Sequence, residues 1–297
     1  MASAGGRTPR SHHDRRAGPG ARQSSREKLS HDDLSRRVNL VHLSVGAKFE
    51  RADEVAHEEP LELQIDGASF AVVMRTPGHD EELGSGFLIT EGVISSLSEI
   101  ESMQHCTVVP TAEAEDNVLQ IRLRTPIDLA RFRRNLFASS SCGVCGKATL
   151  ENALRTRGPL VSSLKVSRAM IAALPERLRA SQPVFASTGG LHAAALFTPE
   201  GIAQVVREDV GRHNAVDKVI GHALRTGLPL EQSVLMVSGR VSFELVQKAV
   251  AARVPVLAGI SAPTSLAVRM AEALGVTLVG FVREGSMNVY SHVSRVT

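Results

Sequence analysis

The run Ile202-Ala-Gln-Val-Val-Arg207, then Glu208-Asp-Val-Gly-Arg-His-Asn214, then Ala215-Val-Asp-Lys-Val-Ile-Gly-His-Ala-Leu224 passes from a strand through a polar loop into a helix. The helix is expected over Asn214–Leu224. Val216, Val219, Ile220, Ala223 and Leu224 fall on one side, at the i, i+3, i+4 spacing of a buried face. Working outward, Leu191–Phe197 and Ile202–Arg207 form a hairpin about the turn Thr198-Pro-Glu-Gly201. Ser233–Val237 and Pro255–Ile260 are short apolar runs of the kind that forms strands covered on both faces. Between them Ser242–Ala252 is helical. A further helix has Pro263 near its first turn and stops at Gly275. Val276–Val282 is the last strand. Alternation of this kind predicts an α/β layer with helices on a largely parallel sheet.

The N-terminal half reads as a smaller α+β unit. Val38–Val45 is a strand. Leu61–Ile65 and Phe70–Met74 flank Asp66-Gly67, whose positive φ values suit a tight hairpin. Asp80–Val93 is a helix with an acidic first turn, as the helix dipole favours. Strands near Cys106–Val109 and Val118–Leu123 complete the unit. Ile127–Phe137 reads as a basic helix and Met170–Leu178 as another helix. The expected division is a disordered basic tail (1–37), an N-terminal α+β domain (38–138), a mobile loop (139–149) and a C-terminal α/β domain (150–297).

Composition narrows the function. Aromatic residues are 3% of 297, with no Trp and one Tyr, Tyr290, which argues against base stacking and hence against nucleic acid as partner. The chain carries +3, yet residues 1–37 hold nine Arg and Lys against four Asp and Glu, so the rest is slightly acidic. The tail is too polar to offset its ordering entropy. It has no apolar core of a secretory leader. No run of about 18 apolar residues spans a membrane. Three cysteines in such a chain, two of them in a close CxxC, point to a reducing compartment.

Two of those cysteines lie in Ser139-Ser-Ser-Cys-Gly-Val-Cys-Gly-Lys147. Cys142 and Cys145 can converge on one point, and the glycines leave the backbone bare. Such a pair holds a metal, forms a disulfide or carries sulfur, and Lys147 favours the thiolate each role needs. Cys106, in an apolar run, reads as structural. Known motifs fail. Gly146-Lys147 lacks the first Gly and the Ser/Thr of a P-loop. One CxxC supplies half of a structural zinc site. His57-Glu-Glu59 and Ser141-Cys142 do not make the zinc-deaminase pair of motifs. No metal is expected.

In an open α/β sheet, ligands bind beyond the carboxyl ends of the strands. Those ends are Glu208–Asn214, Ser238-Gly-Arg-Val-Ser242, Ser261-Ala-Pro-Thr-Ser265 and Arg283-Glu-Gly-Ser286. Each combines small residues with a polar or cationic one, and several lead into helix N-termini that offer N–H groups to phosphate. Arg212, His213, Lys218, Arg240 and Arg283 add charge-assisted donors. Small residues and charges after strands are also ordinary turn chemistry; the recurrence at four ends is what favours a ligand. Asp209 or Glu284 could accept hydrogen bonds from a ligand's N–H groups. His192 fits a ligand role and a structural one equally, and His222 reads as an ordinary, partly exposed residue.

Seven stretches in family order resemble the formate dehydrogenase accessory sulfurtransferase family, FdhD. They are Arg75-Thr-Pro-Gly78 with Gly86–Gly92, Ser141–Gly146, Ser187–Ala193, Glu208–Lys218, Ser238–Arg240, Ser261–Ser265 and Phe281–Tyr290. The resemblance implies a dimeric cytoplasmic sulfurtransferase. It would take persulfide sulfur from a cysteine desulfurase and deliver it to the molybdenum of a bis(molybdopterin guanine dinucleotide) cofactor bound for formate dehydrogenase. It implies a C-terminal fold similar to cytidine deaminases, without their zinc. Cys142 matches the persulfide carrier and Cys145 the second cysteine. Phe281, Val282, Arg283, Glu284, Gly285 and Ser286 match the cofactor-binding stretch. Asp209, Gly211, Arg212, His213, Ser238, Gly239, Arg240, Ser261 and Thr264 complete the expected cofactor site. The competing class is a non-enzymatic chaperone that holds the cofactor and uses the CxxC as a redox or metal latch.

Overall fold

The computed structural model describes residue 1 and residues 34–106, 116–128, 158–283 and 285–297. β1 (Ser35–Ser44) and β2 (Ala47–Ala56) pair as a long antiparallel hairpin. β3 (Glu59–Ile65) and β4 (Ala68–Arg75) follow, with the expected turn: Asp66 and Gly67 have φ of 49° and 79°. The helix α1 (Asp80–Thr90), β5 (Ile100–His105) and β6 (Val118–Leu123) complete a four-stranded sheet of order β4-β3-β6-β5. Leu61, Leu63, Ile65, Leu119 and Ile121 from this sheet pack on Leu83, Phe87 and Leu88 of α1.

The remaining elements are α2 (Arg168–Arg179), α3 (Pro183–Thr188), β7 (His192–Phe197), β8 (Ala203–Asp209), α4 (Arg212–Thr226), β9 (Val234–Val237), α5 (Phe243–Ala251), β10 (Val256–Gly259), α6 (Ser265–Leu274), β11 (Thr277–Arg283) and β12 (Ser286–Val289). They build a six-stranded sheet of order β12-β11-β10-β9-β7-β8. Alternate strand residues bury opposite faces. Leu235 and Val237 meet Ile220 and Val246 of α4 and α5, with α6 on the same side. Val234 and Met236 meet Ile171 and Leu174 of α2 on the other side. Each such fully buried aliphatic contributes about 1.5–3 kcal/mol.

The sheet is mixed rather than largely parallel. β9, β10 and β11 are parallel neighbours, but β7 runs antiparallel to both β8 and β9, and β12 antiparallel to β11. The short turn closed by Gly201, at φ 83°, forces β7 and β8 into a hairpin. Because β7 is antiparallel to both its neighbours, β8, β9, β10 and β11 still point the same way. Their C-terminal ends share one edge of the sheet.

α1 joins the two sheets. It is buried on nearly every side, and its second face lies on α4 without intervening side chains. A Cβ on Gly86 would stand 1.9 Å from the Asp217 carbonyl oxygen, and one on Gly221 would stand 1.8 Å from that of Glu82.

Several sequence expectations need correction. Ser35–Arg37, assigned to the tail, pair with Glu54–Ala56 in β1 and β2. β2 reads as polar because the hairpin is exposed on both faces. β5 spans Ile100–His105, ahead of the stretch expected to be a strand, since as an edge strand it buries little and shows a weak apolar pattern; Cys106 is irregular and the rest of the strand expected over Cys106–Val109 lies outside the described residues. α3 and β12 are too short to show a period. Ile127 and Asp128 are irregular, and the rest of the helix expected over 127–137 lies outside the described residues, as does the loop 139–149. Cys106 is 8% exposed, with Gln120 Nε2 3.3 Å from its sulfur. No helix among the described residues is long and apolar enough to cross a membrane.

Candidate functional site

Two of the sequence motifs bind each other. The Asp209 carboxylate is fully buried and meets the Lys218 ammonium at 2.7 Å. It also accepts from the N–H groups of Thr76 and Gly211 and from Asn214 Nδ2. Lys218, itself 1% exposed, donates to the Thr76 carbonyl at 2.7 Å. Asn214 Nδ2 reaches the Met74 carbonyl, and the Val210 N–H reaches Thr76 Oγ1. Arg75, also buried, grips Asp80 at the start of α1 through two hydrogen bonds of 3.0 and 3.1 Å. Arg75–Gly78 and Glu208–Lys218 thus form a lock between the two sheets. Asp209 has no free oxygen for a ligand and Lys218 no path to one; both expectations are corrected.

The edge itself gathers other groups. Gly211 and Ser242 are the N-cap residues of α4 and α5, and among the described residues neither helix has a side chain capping its first N–H groups. Arg212 opens α4, and its buried Nε has no hydrogen-bond partner among the described residues. His192 begins β7, which runs against its neighbours and so starts at this edge. A Cβ at Gly239 would lie 3.2 Å from the His192 ring and 3.7 Å from Arg212 Cδ, so a larger residue there would wedge the cluster apart. His213 Nε2 lies 3.4 Å from Ser242 Oγ and 4.0 Å from Glu244 Oε2. Glu244 Oε2 is buried without a hydrogen-bond partner among the described residues.

The imidazoles here are held neutral. Burial, then the Lys248 and Arg212 charges, lowers the His213 pKa to about 4, with Glu91 opposing. Burial and Arg212 also lower that of His192, against a pull from Asp209. The cluster therefore carries a fixed positive charge at Arg212 and helix-end N–H donors, with two neutral rings beside them.

The other expected residues divide. Ser238 Oγ accepts from the Ala193 N–H at 2.9 Å, Thr264 Oγ1 caps α6, and Ser286 Oγ donates to the Arg283 carbonyl, so these hydroxyls serve turns. The Ser261 carbonyl accepts from the Phe281 N–H. Phe281 stands at φ 53°, a left-handed conformation costly for this residue, where a bulge re-aims the chain between Gly280 and Arg283. The Arg283 guanidinium lies 5.8 Å from the Phe281 ring centre. Val282 is buried in the core, whereas Arg240, Arg283 and Gly285 are exposed. Glu284, Cys142 and Cys145 lie outside the described residues. Among the described residues no group of three or more His, Cys, Asp or Glu is placed to hold a metal ion.

Residues 56–297 match the model of the FdhD/NarQ family. The chain belongs to that family. It is 49% identical over 272 residues to the sulfur carrier protein FdhD of Mycolicibacterium paratuberculosis, covering 89% of this chain and 99% of that one. It is 48% identical over 271 residues to the sulfur carrier protein FdhD of Streptomyces coelicolor, covering 89% and 96%. In structure it is similar to a formate dehydrogenase accessory protein from Desulfotalea psychrophila, with a TM-score of 0.71 and 27% identity over 89% of this chain and all of that one.

Glu244 escaped the sequence reading. It lies two residues beyond the strand-end stretch, inside the first turn of α5, where an acid is unremarkable as a partner of the helix dipole. His222, expected to be an ordinary partly exposed residue, joins Arg207 on Glu82, with Nδ1 2.8 Å from Oε1.

Proposed function

We propose that this chain is a sulfur carrier that loads persulfide sulfur from a cysteine desulfurase onto Cys142. It passes that sulfur to the molybdenum of bis(molybdopterin guanine dinucleotide), a substrate destined for formate dehydrogenase. Family membership supports the carrier role, as do relatives that are sulfur carrier proteins by name. In the loading step the Cys142 thiolate attacks the outer sulfur of the donor persulfide. A new S–S bond forms on Cys142, the donor's S–S bond breaks, and the donor departs as a thiolate. Lys147 favours the attacking thiolate. Cys145 is the second cysteine of the relay.

The observation that carries the substrate assignment is the unsatisfied Arg212 Nε between the uncapped starts of α4 and α5. Helix N-termini and an arginine suit the pyrophosphate of a guanine dinucleotide. Arg240, Arg283 and Phe281 border the same edge. We read the three-layer unit as deaminase-like in fold and the chain as a cytoplasmic homodimer, with the sulfur loop between an N-terminal domain that begins with β1 at Ser35 and a C-terminal one (150–297).

The test is an intact mass after incubation with a cysteine desulfurase and cysteine. One added sulfur on the peptide containing Cys142 is expected. A Cys142→Ala protein that still yields active formate dehydrogenase overturns the assignment. Cofactor loaded by the double cysteine variant but lacking its sulfido ligand separates this reading from a chaperone with a CxxC latch.

A further inference from the structure

We infer that Glu244 selects the base of the bound nucleotide, accepting the paired N–H donors of a guanine-type edge. The inference rests on reading this sheet edge as a nucleotide site. Glu244 Oε2 is buried and has no hydrogen-bond partner among the described residues. Leaving a carboxylate oxygen buried and unmatched is costly, so a donor is missing there. His213 Nε2, 4.0 Å away, is too far for a hydrogen bond and belongs to a ring that is neutral near pH 7.

A second unmatched atom lies in the same cluster. Arg212 Nε is a donor without an acceptor among the described residues. Arg212 and His213 are consecutive on α4, and Glu244 faces His213 from α5. A ligand that satisfies both orphans presents an acceptor to Arg212 and donors to Glu244. A nucleoside diphosphate does so, with phosphate at one end and a base at the other. Guanine offers N1–H beside its 2-amino group, which matches the two oxygens of a carboxylate. Xanthine carries a carbonyl oxygen in place of that amino group, and adenine presents a bare N1. Asp209, the acid expected for this task, has its oxygens occupied by Lys218, Thr76, Gly211 and Asn214.

Calorimetric titration of the full chain with guanosine, inosine and xanthosine diphosphates tests the assignment. Wild type should bind the guanosine nucleotide tightest. Glu244→Gln should weaken it roughly tenfold or more while xanthosine diphosphate binds as well or better, because an amide can donate to the new carbonyl. A merely structural role would lower all three together. If Glu244→Gln does not fold, Glu244→Ala and Glu244→Asp report the same ratios, with guanosine preference lost in the first. An unchanged guanosine-to-xanthosine ratio in variants that still bind nucleotide overturns the role of Glu244 and leaves the nucleotide site standing. Absence of binding by wild type to all three overturns both.

Discussion

Asp209 and Lys218 form an ion pair of 2.7 Å in which neither side chain reaches solvent, and it ties β8 and α4 to the segment that enters α1. Removing one partner strands the other charge. Lys218→Met should therefore destabilise the protein by about 3–5 kcal/mol. Asp209→Leu/Lys218→Met should cost less than the sum of the single changes. Urea denaturation measures both, and a single-variant loss below about 1 kcal/mol would show that the lock is not rigid.

The α1–α4 crossing depends on two glycines. A Cβ at Gly86 or Gly221 overlaps a carbonyl of the facing helix, so the helices must separate to admit it. Gly221→Ala should cost about 1–3 kcal/mol despite the better helix propensity of Ala. Gly285→Ala, with open space around it but a φ of 75°, strains only an exposed turn and should cost about 1 kcal/mol. Thermal melts that rank these two in reverse order would contradict the packing.

The C-terminal layer was legible because its buried strands are uniformly apolar and its helices carry a clean 3.6-residue face. The shared edge was legible as well, since strand ends with Gly, Ser and Arg recur in order. The place of the hairpin in the sheet was not. Nothing in Leu191–Phe197 or Ile202–Arg207 says which of the two strands joins β9, and it is β7, antiparallel to it. The exposed β2 hid because no face alternates. Asp209 and Lys218 looked like ligand residues because sequence cannot tell a buried ion pair from a polar site. Glu244 was missed because its unmatched oxygen exists only after α4 and α5 pack.

Acid should loosen the sheet edge where α4 and α5 begin. The folded pKa of His213 is about 4 and the ordinary value is 6.5, so between these pH values the unfolded chain binds more protons. Stability is then full above about pH 6.5 and falls as pH drops toward 4. Burial, Lys248 and Arg212 lower this pKa while Glu91 opposes them. With a third of the side chain exposed, the loss should be on the order of 1–3 kcal/mol. His79, also lowered to about 4 but half exposed, adds a smaller share in the same direction. Urea midpoints from pH 7.5 to 4.5 should show a shallower slope for His213→Gln. An identical slope would place the proton uptake elsewhere.

Arg212 and Arg240 lie on the same edge but should behave differently. Arg212 has a buried donor without a partner among the described residues, so a bond from it to a phosphate would form away from water. Arg240 is exposed, and any ion pair it makes is screened. Arg212→Ala should therefore weaken guanosine diphosphate by about 1.5–3 kcal/mol, whereas Arg240→Ala should cost below about 1 kcal/mol. Raising the salt to about 0.5 M should erase the Arg240 effect and leave most of the Arg212 effect, because screening acts on the exposed charge. Calorimetry at two salt concentrations reads both quantities. Equal, equally salt-sensitive losses would mean that the ligand sits out over the edge, held by long-range charge, and not between the starts of α4 and α5.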